Sequence, residues 1–391
     1  MVTLTTSIEV WIKSAFVQTE SCIIRITTSC NGPQDLSVSY IVLTYIICKC
    51  LHVSSTGATG YIGGDTLYAL YNKHSDYEIA ALVRSEEKGK PVKDAFPKVR
   101  LVIGDLNSSD LISEESAKAD VVIHTADASD NEPAAKAIAK GLAKGHSKAN
   151  PGFWLHTGGA GILCWETMRD DNKLGEHSDR EYNDWTAVQD LTGLPDDAFH
   201  KNVDDLVLGA ASDAVKTAIL CPPTIYGRGR GPSHTRSRQA YELAHLILTG
   251  GYVPLIGEGK ARWNNVHVAD LAQLFVLLTE AAVAGTTDAE LWNEKGYYLV
   301  ENGEHLWADL ARSMGKKAVD LGLLKGDLEE KSLGKDKAID QAGFEAVSWG
   351  FNSRGKAERA RKVVGWEPKA PSIDDTLEEI LKDEKSRIDK K

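Results

Sequence analysis

The stretch that most constrains this chain is Ser-Thr-Gly-Ala-Thr-Gly-Tyr-Ile-Gly-Gly at 55–64, with glycines at 57, 60 and 63. An apolar run, Leu51-His52-Val53, precedes it. A helical pattern follows, with Tyr61, Ile62, Leu67, Leu70 and Tyr71 on one side. The spacing predicts a strand, a glycine turn and a helix. Such a unit offers backbone N–H groups and a positive helix end to a pyrophosphate. Gly57 suits the tight turn, Gly60 a close backbone approach and Gly63 close packing of helix on sheet. The spacing is G-x-x-G-x-x-G rather than the standard G-x-G-x-x-G. By itself it does not separate a cofactor site from an ordinary strand–helix turn, so the rest of the chain decides.

Apolar runs alternate with helical patterns beyond this point. Strands are expected up to Val53 or Ser54 and over 78–83, 99–103, 119–124, 152–156 and 216–221. Helices are expected over 64–72, 111–118, 133–144 and 198–210. This rhythm implies parallel strands joined by right-handed crossovers. The fold class is therefore α/β: a doubly wound, Rossmann-type sheet with its ligand crevice at the carboxyl ends of the strands. After Pro222 the rhythm changes, with helices over 239–249 and 268–282, extended segments over 252–256 and 297–300, and short amphipathic helices from His305. A smaller C-terminal substrate lobe is expected there. The boundaries read 1–46 as an atypical extension, 47–225 as the NAD(P)-binding domain and 226–391 as mainly the lobe, with 263–282 returning to the first domain. The tail from Glu384 reads as a frayed, solvated helix end.

Composition narrows the function. The chain has 391 residues, 42% apolar and 26% charged, as expected for a globular protein with a large core. A net charge of −11 disfavours nucleic acid as a partner. The apolar run at 38–53 is interrupted by Lys49 and is shorter than the roughly 20 residues a membrane span needs. The opening residues show no basic n-region with a small-residue cleavage site, so a secretory signal is not expected. Of six cysteines, Cys48 and Cys50 form a C-x-C with no second pair, a poor metal signature, and Cys164 and Cys221 read as buried thiols. No metal site is expected. A reducing, cytoplasmic setting fits, with a small-molecule substrate as partner, no nucleic acid or membrane, and a homodimer compatible with the sequence.

The second strand ends Val83-Arg84-Ser85, where NAD binding usually wants an acid for the ribose. An arginine there pairs with a 2′-phosphate, so NADP(H) is expected, with NAD the alternative. Asp105, in the turn Gly104-Asp105-Leu106, is placed to accept from the adenine amino group. Thr125-Ala126-Asp127 should pass under the ribose and diphosphate.

Thr-Gly-Ala-Thr-Gly-Tyr-Ile-Gly (56–63), Gly-Asp-Leu (104–106), Pro-Pro-Thr-Ile-Tyr-Gly (222–227) and Trp-Asn-Asn-Val-His-Val-Ala-Asp-Leu-Ala (263–272) occur in one order. As a set they resemble the NAD-dependent epimerase/dehydratase family, the extended branch of the short-chain dehydrogenase/reductases, and in particular its fungal oxidoreductase-like members. The resemblance covers 51 to about 382. It implies bound NAD(P) on Gly57, Thr59, Gly60, Tyr61, Ile62, Gly63, Arg84, Asp105, Leu106, Thr125, Ala126, Pro223 and Thr224. It also implies structural duties for His267 and Asp270.

The family pairs a Ser/Thr after the fifth strand with a Tyr-x-x-x-Lys on the next helix. Here the fifth strand ends His156-Thr157-Gly158-Gly159, so Thr157 is the nearest hydroxyl. The following helix, from Asp196 to Leu206, carries no Tyr-x-x-x-Lys. One alignment puts His200 at the lysine position; the other puts Lys201 there. Two readings stay open. In one, His200 moves the proton, Lys201 holds the ribose, Tyr182 swings in from the preceding loop and Thr157 supports the reacting oxygen. Hydride then passes between nicotinamide and a carbonyl or activated alkene, in specialised metabolism. In the other, catalysis is lost and the protein senses NADP, as NmrA-like relatives do. Nucleotide-sugar epimerisation or dehydration is the further alternative. Arg228 and Arg230 flank glycines at the crevice edge, either holding an acidic substrate or solvated.

Overall fold

The computed structural model describes residues 7–12, 22–27, 51–170 and 173–390. Residues 1–50 and 51–391 are separate compact units. In the first, Ser7–Ile12 pairs antiparallel with Cys22–Thr27. The Cys48/Cys50 pair and most of the 38–53 run lie outside the described residues.

The second unit is built on a seven-stranded parallel sheet. Its strands are β1 (His52–Thr56), β2 (Glu78–Val83), β3 (Arg100–Ile103), β4 (Val121–His124), β5 (Gly152–Thr157), β6 (Val215–Cys221) and, from much later in the chain, Tyr297–Leu299. Their order is β3-β2-β1-β4-β5-β6 with Tyr297–Leu299 outermost beside β6. The sequence reverses direction across the sheet between β1 and β4, which opens a crevice above the carboxyl ends there. Every residue of β5 is buried, as a central parallel strand covered on both faces requires.

Helices α1 (Tyr61–Lys73), α2 (Glu86–Ala95), α3 (Ser109–Lys118), α4 (Glu132–Gly145) and α5 (Lys201–Gly209) link the strands. On one face α1 packs with Val268–Val283; opposite it α3, α4 and α5 pack together. Sequence reading gave no helix over α2, whose Gly89 and Pro91 mask it. Ser85 starts it, its hydroxyl accepting from the Lys88 amide at 3.2 Å, and Glu86 and Glu87 favour its positive end.

The later chain adds Thr224–Tyr226 and Arg262–His267 as a parallel pair and Val253–Ile256 with Glu330–Leu333 as another. Helices Gln239–Gly250, Trp307–Asp320 and Ile373–Asp389 pack on one another beside them. The expectation of a frayed tail is corrected. Glu384 is fully buried, accepting from Arg236 Nε at 2.8 Å and ion-paired with His245 Nδ1 at 2.9 Å, so the last helix is docked almost to its end. Among the described residues no helix is long and apolar enough to cross a membrane.

Candidate active site

Above the carboxyl ends of β1 to β4 lies a crevice of about 750 Å³. Gly57, Thr59 and Gly60 form its floor; Arg84 and Lys88 close one end, with Asp105 and Leu106 beside them; Thr125, Ala126 and Asp127 line the far wall. Gly57 has φ +85°, and a Cβ added there would sit 2.4 Å from Thr125 Oγ1 and 2.9 Å from the Ala126 nitrogen. No side chain fits. The Thr125 hydroxyl donates to the Thr56 carbonyl at 2.6 Å, drawing the two loops together. Helix α1 opens at Tyr61 behind Gly60, with no side chain capping it. Its first amides therefore have no intrahelical partner and no cap, which is the setting an anion takes at a helix N-terminus. Floor, helix end and volume fit a dinucleotide.

Several residues expected at this cofactor site do something else. The Tyr61 hydroxyl donates to the Gly227 carbonyl at 2.6 Å, turning the ring from the crevice. Ile62 packs against the hydrophobic core. Gly63 seats the helix on the turn: its added Cβ would lie 2.3 Å from the Gly57 oxygen. These three shape the helix end rather than line the crevice. Thr224 is fully buried beside Asn265 in the small sheet. Pro223 lines a different cavity. Asp105 lines the crevice, but its Oδ1 already accepts from the Asn107 amide at 2.9 Å and the Ser108 hydroxyl at 3.1 Å. Lys88 escaped sequence reading because its helix did. Arg230 is not free for an acidic substrate: its amide donates to Asp65 Oδ2 at 2.7 Å, and its guanidinium pairs with the same fully buried carboxylate.

The second cavity, of about 370 Å³, adjoins the first along the loop after β4: residues 125–127 line the crevice and Ser129 and Asp130 line the cavity. His200 stands in its wall. The ring is 9% exposed, and Nδ1 donates to Asp130 Oδ1 at 2.7 Å. That bond holds the Asp130 carboxyl below its ordinary range. The other nitrogen, Nε2, faces the glycine loop after β5: a Cβ on Gly159 would come within 2.9 Å of it, and one on Gly161 within 3.3 Å. His200 has φ +71°, left-handed backbone that costs a non-glycine residue roughly 1 kcal/mol or more. The strain turns the chain into α5 and aims the ring at the cavity.

The other three residues expected to carry chemistry do not line it. Thr157 is buried at the end of β5, its hydroxyl without a hydrogen-bond partner. Lys201 is buried and paired with Asp205 on its own helix. Tyr182 is buried, its hydroxyl accepting from Trp165 Nε1 at 2.9 Å, so no swing inward is available without breaking that contact. Of the two registers open in the sequence, the structure thus brings His200 rather than Lys201 to the cavity. Asp204 is buried too: Tyr297 donates to its Oδ2 at 2.8 Å, and burial raises its carboxyl to about 6. Asp130 was overlooked because the expected site stopped at Asp127. His267 caps the helix that follows it, accepting from the Ala269 amide at 3.1 Å, and Asp270 accepts from the Lys369 amide at 2.9 Å. Among the described residues no group of three or more His, Cys, Asp or Glu side chains is placed to hold a metal ion.

Comparison with known proteins agrees with this geometry. Residues 57–150 match the family described as NAD(P)H-binding, and residues 202–291 match the NAD-dependent epimerase/dehydratase family. The oxidase ucsJ of an Acremonium species is 36% identical over 86% of this chain and 98% of its own length. An uncharacterised protein of Saccharomyces cerevisiae is 24% identical over 81% of this chain and 95% of its own. Among solved structures, the UDP-glucose 4-epimerase of Thermotoga maritima, with UDP-glucose, covers 86% of this chain and all of its own at TM-score 0.59 and 14% identity. DesIV, the dTDP-glucose 4,6-dehydratase of Streptomyces venezuelae with NAD bound, covers 85% of this chain and 96% of its own at TM-score 0.58 and 16% identity. The sheet order, the glycine-floored crevice and these likenesses converge: the chain belongs to the NAD-dependent epimerase/dehydratase family of extended short-chain dehydrogenase/reductases.

Proposed function

We propose that the protein is an NADP(H)-dependent oxidoreductase acting on a carbonyl or activated alkene, or the corresponding alcohol, of a small organic molecule in specialised metabolism. One observation carries the reading: the Asp130–His200 pair faces a cavity that adjoins the dinucleotide-shaped crevice. When bound, the nicotinamide supplies or takes up a hydride. Gly57, Gly60 and the start of α1 hold the diphosphate by backbone. Arg84 and Lys88, at the β2 end, favour a 2′-phosphate. Asp130, accepting from Nδ1, fixes the ring so that Nε2 is the working atom. In the neutral ring Nε2 takes the proton of a substrate hydroxyl during oxidation. As imidazolium the same nitrogen gives a proton to the substrate oxygen or enolate carbon during reduction, with the Asp130 carboxylate balancing the charge. A relative described as an oxidase supports redox chemistry.

The test is NADPH consumption across a panel of ketones, aldehydes and enones, with His200→Asn beside the parent. Turnover in the parent and its loss in the variant, with cofactor affinity kept within a few-fold, are expected. Full activity in the variant overturns the proton-transfer assignment. Burial of Thr157, Lys201 and Tyr182 favours a second reading, a non-catalytic NADP sensor. It requires unequal binding of oxidised and reduced cofactor and no consumption with any substrate.

A further inference from the structure

We infer that the second cavity selects a compact, uncharged aromatic carbonyl compound or its alcohol and rejects anions, nucleotide sugars among them. The inference rests on the oxidoreductase reading and adds the substrate class.

Four apolar rings, Phe199, Trp263, Phe344 and Phe351, line it beside polar and charged side chains. The one polar atom of the Trp263 ring is spent, its Nε1 donating to the Phe351 carbonyl at 2.8 Å. Phe199 and Phe344 stand at the rim with ring centroids 6.1 Å apart, 37% and 54% exposed. Together they form a small exposed apolar patch beside the open cavity, suited to being covered by an apolar ligand. Phe199 also lies against His200, centroids 3.8 Å apart, which joins the apolar rim directly to the proton-handling ring. A flat ring laid across Phe199 and Phe344 gains edge or offset contacts with both while its oxygen is directed at Nε2.

Charge decides against acids. The carboxylates at the wall are Asp130 and Glu345, and the one guanidinium, Arg238, is paired with Glu345 at 2.6 Å. Among the described lining residues Asp130 and Glu345 outnumber Arg238 by one, and that guanidinium is engaged, so a carboxylate or phosphate entering the cavity finds no free guanidinium or ammonium. A nucleotide sugar fails on a second count. It brings a diphosphate and a nucleoside to a cavity of about 370 Å³, half the volume of the crevice assigned to a dinucleotide.

The experiment uses the full chain saturated with NADP+, so that a ketone binds without being reduced. NADP+ is titrated first by calorimetry; if it does not bind, the function proposed above fails rather than this inference. 1-Tetralone and 2-acetonaphthone are then titrated, each against an analogue carrying a ring carboxylate, with UDP-glucose alongside. At least one ketone is expected to bind about tenfold or more tighter than its acid, with no heat from UDP-glucose. Phe344→Ala, an exposed position that the fold tolerates, is expected to weaken the ketone about tenfold and leave NADP+ affinity unchanged. Ketones that do not bind the loaded protein, an acid or UDP-glucose that binds as tightly as a ketone, or a Phe344→Ala protein with unchanged ketone affinity would each overturn the inference.

Discussion

The two cavities are made by opposite means. The crevice is floored by backbone: positive-φ Gly57, Gly60 and an uncapped helix end, all within a few residues of one another. The second cavity is walled mainly by side chains from residues far apart in the chain, at 129–130, 160, 164, 168, 199–200, 222–223, 238–239, 263, 344–345, 348 and 351. A phosphate needs amides and space, which local glycine spacing supplies. A substrate needs a particular assortment of side chains, which only the finished fold assembles. The family can therefore keep one cofactor floor and change its chemistry by changing the other wall.

That contrast can be broken at either end. The largest effect is expected at the side-chain site. His200→Asn keeps a residue that tolerates left-handed backbone and a donor for Asp130, but removes Nε2; kcat should fall about 100- to 10,000-fold with cofactor affinity nearly unchanged. Steady-state kinetics beside a cofactor titration check this. The next effect belongs to the backbone site. Gly57→Ala forces a Cβ to 2.4 Å from Thr125 Oγ1 in a positive-φ turn, and NADP(H) affinity should drop about 100-fold, the equivalent of roughly 3 kcal/mol. Any substrate contacts at the second cavity should survive it. A smaller effect sharpens cofactor choice: Arg84→Ala should cost NADP+ about tenfold in affinity and leave NAD+ unchanged.

A last effect, on stability rather than on binding or turnover, concerns the buried acid beneath the site. Asp204 keeps its proton in the fold up to about pH 6, whereas the unfolded chain releases it near pH 4. Between those values the native state holds the extra proton, so stability falls as pH rises and levels off above about 6. Asp204→Asn cannot ionise and still accepts from Tyr297. Denaturant unfolding at pH 4.5 and pH 7 should show the parent losing on the order of 1–3 kcal/mol relative to the variant across that interval.

The sheet was legible because parallel strands buried on both faces read as apolar runs, and β2, β4 and β5 begin or end within two residues of the expected limits. Helix α2 was not, since Gly89 and Pro91 argue against a helix that Ser85 and two glutamates nonetheless start. Eight of the thirteen residues expected at the cofactor line the crevice; Tyr61, Ile62 and Gly63 serve the helix, Pro223 and Thr224 lie elsewhere, and Lys88 lay in the unread helix. The catalytic side was the hardest. His200 and Lys201 are neighbours and equally plausible as a motif, and only the turn with φ +71° sends one to the cavity and the other into its own helix. Asp130 lies 70 residues from His200, and nothing local announces the pair.

The account stands on a nicotinamide dinucleotide occupying the crevice above Gly57. Calorimetric titration of the full chain with NADPH, NADP+, NADH and NAD+ tests it most directly. One site per chain, tighter for the phosphorylated pair and abolished or severely weakened by Gly57→Ala, is the predicted result. No heat from any of the four would contradict it.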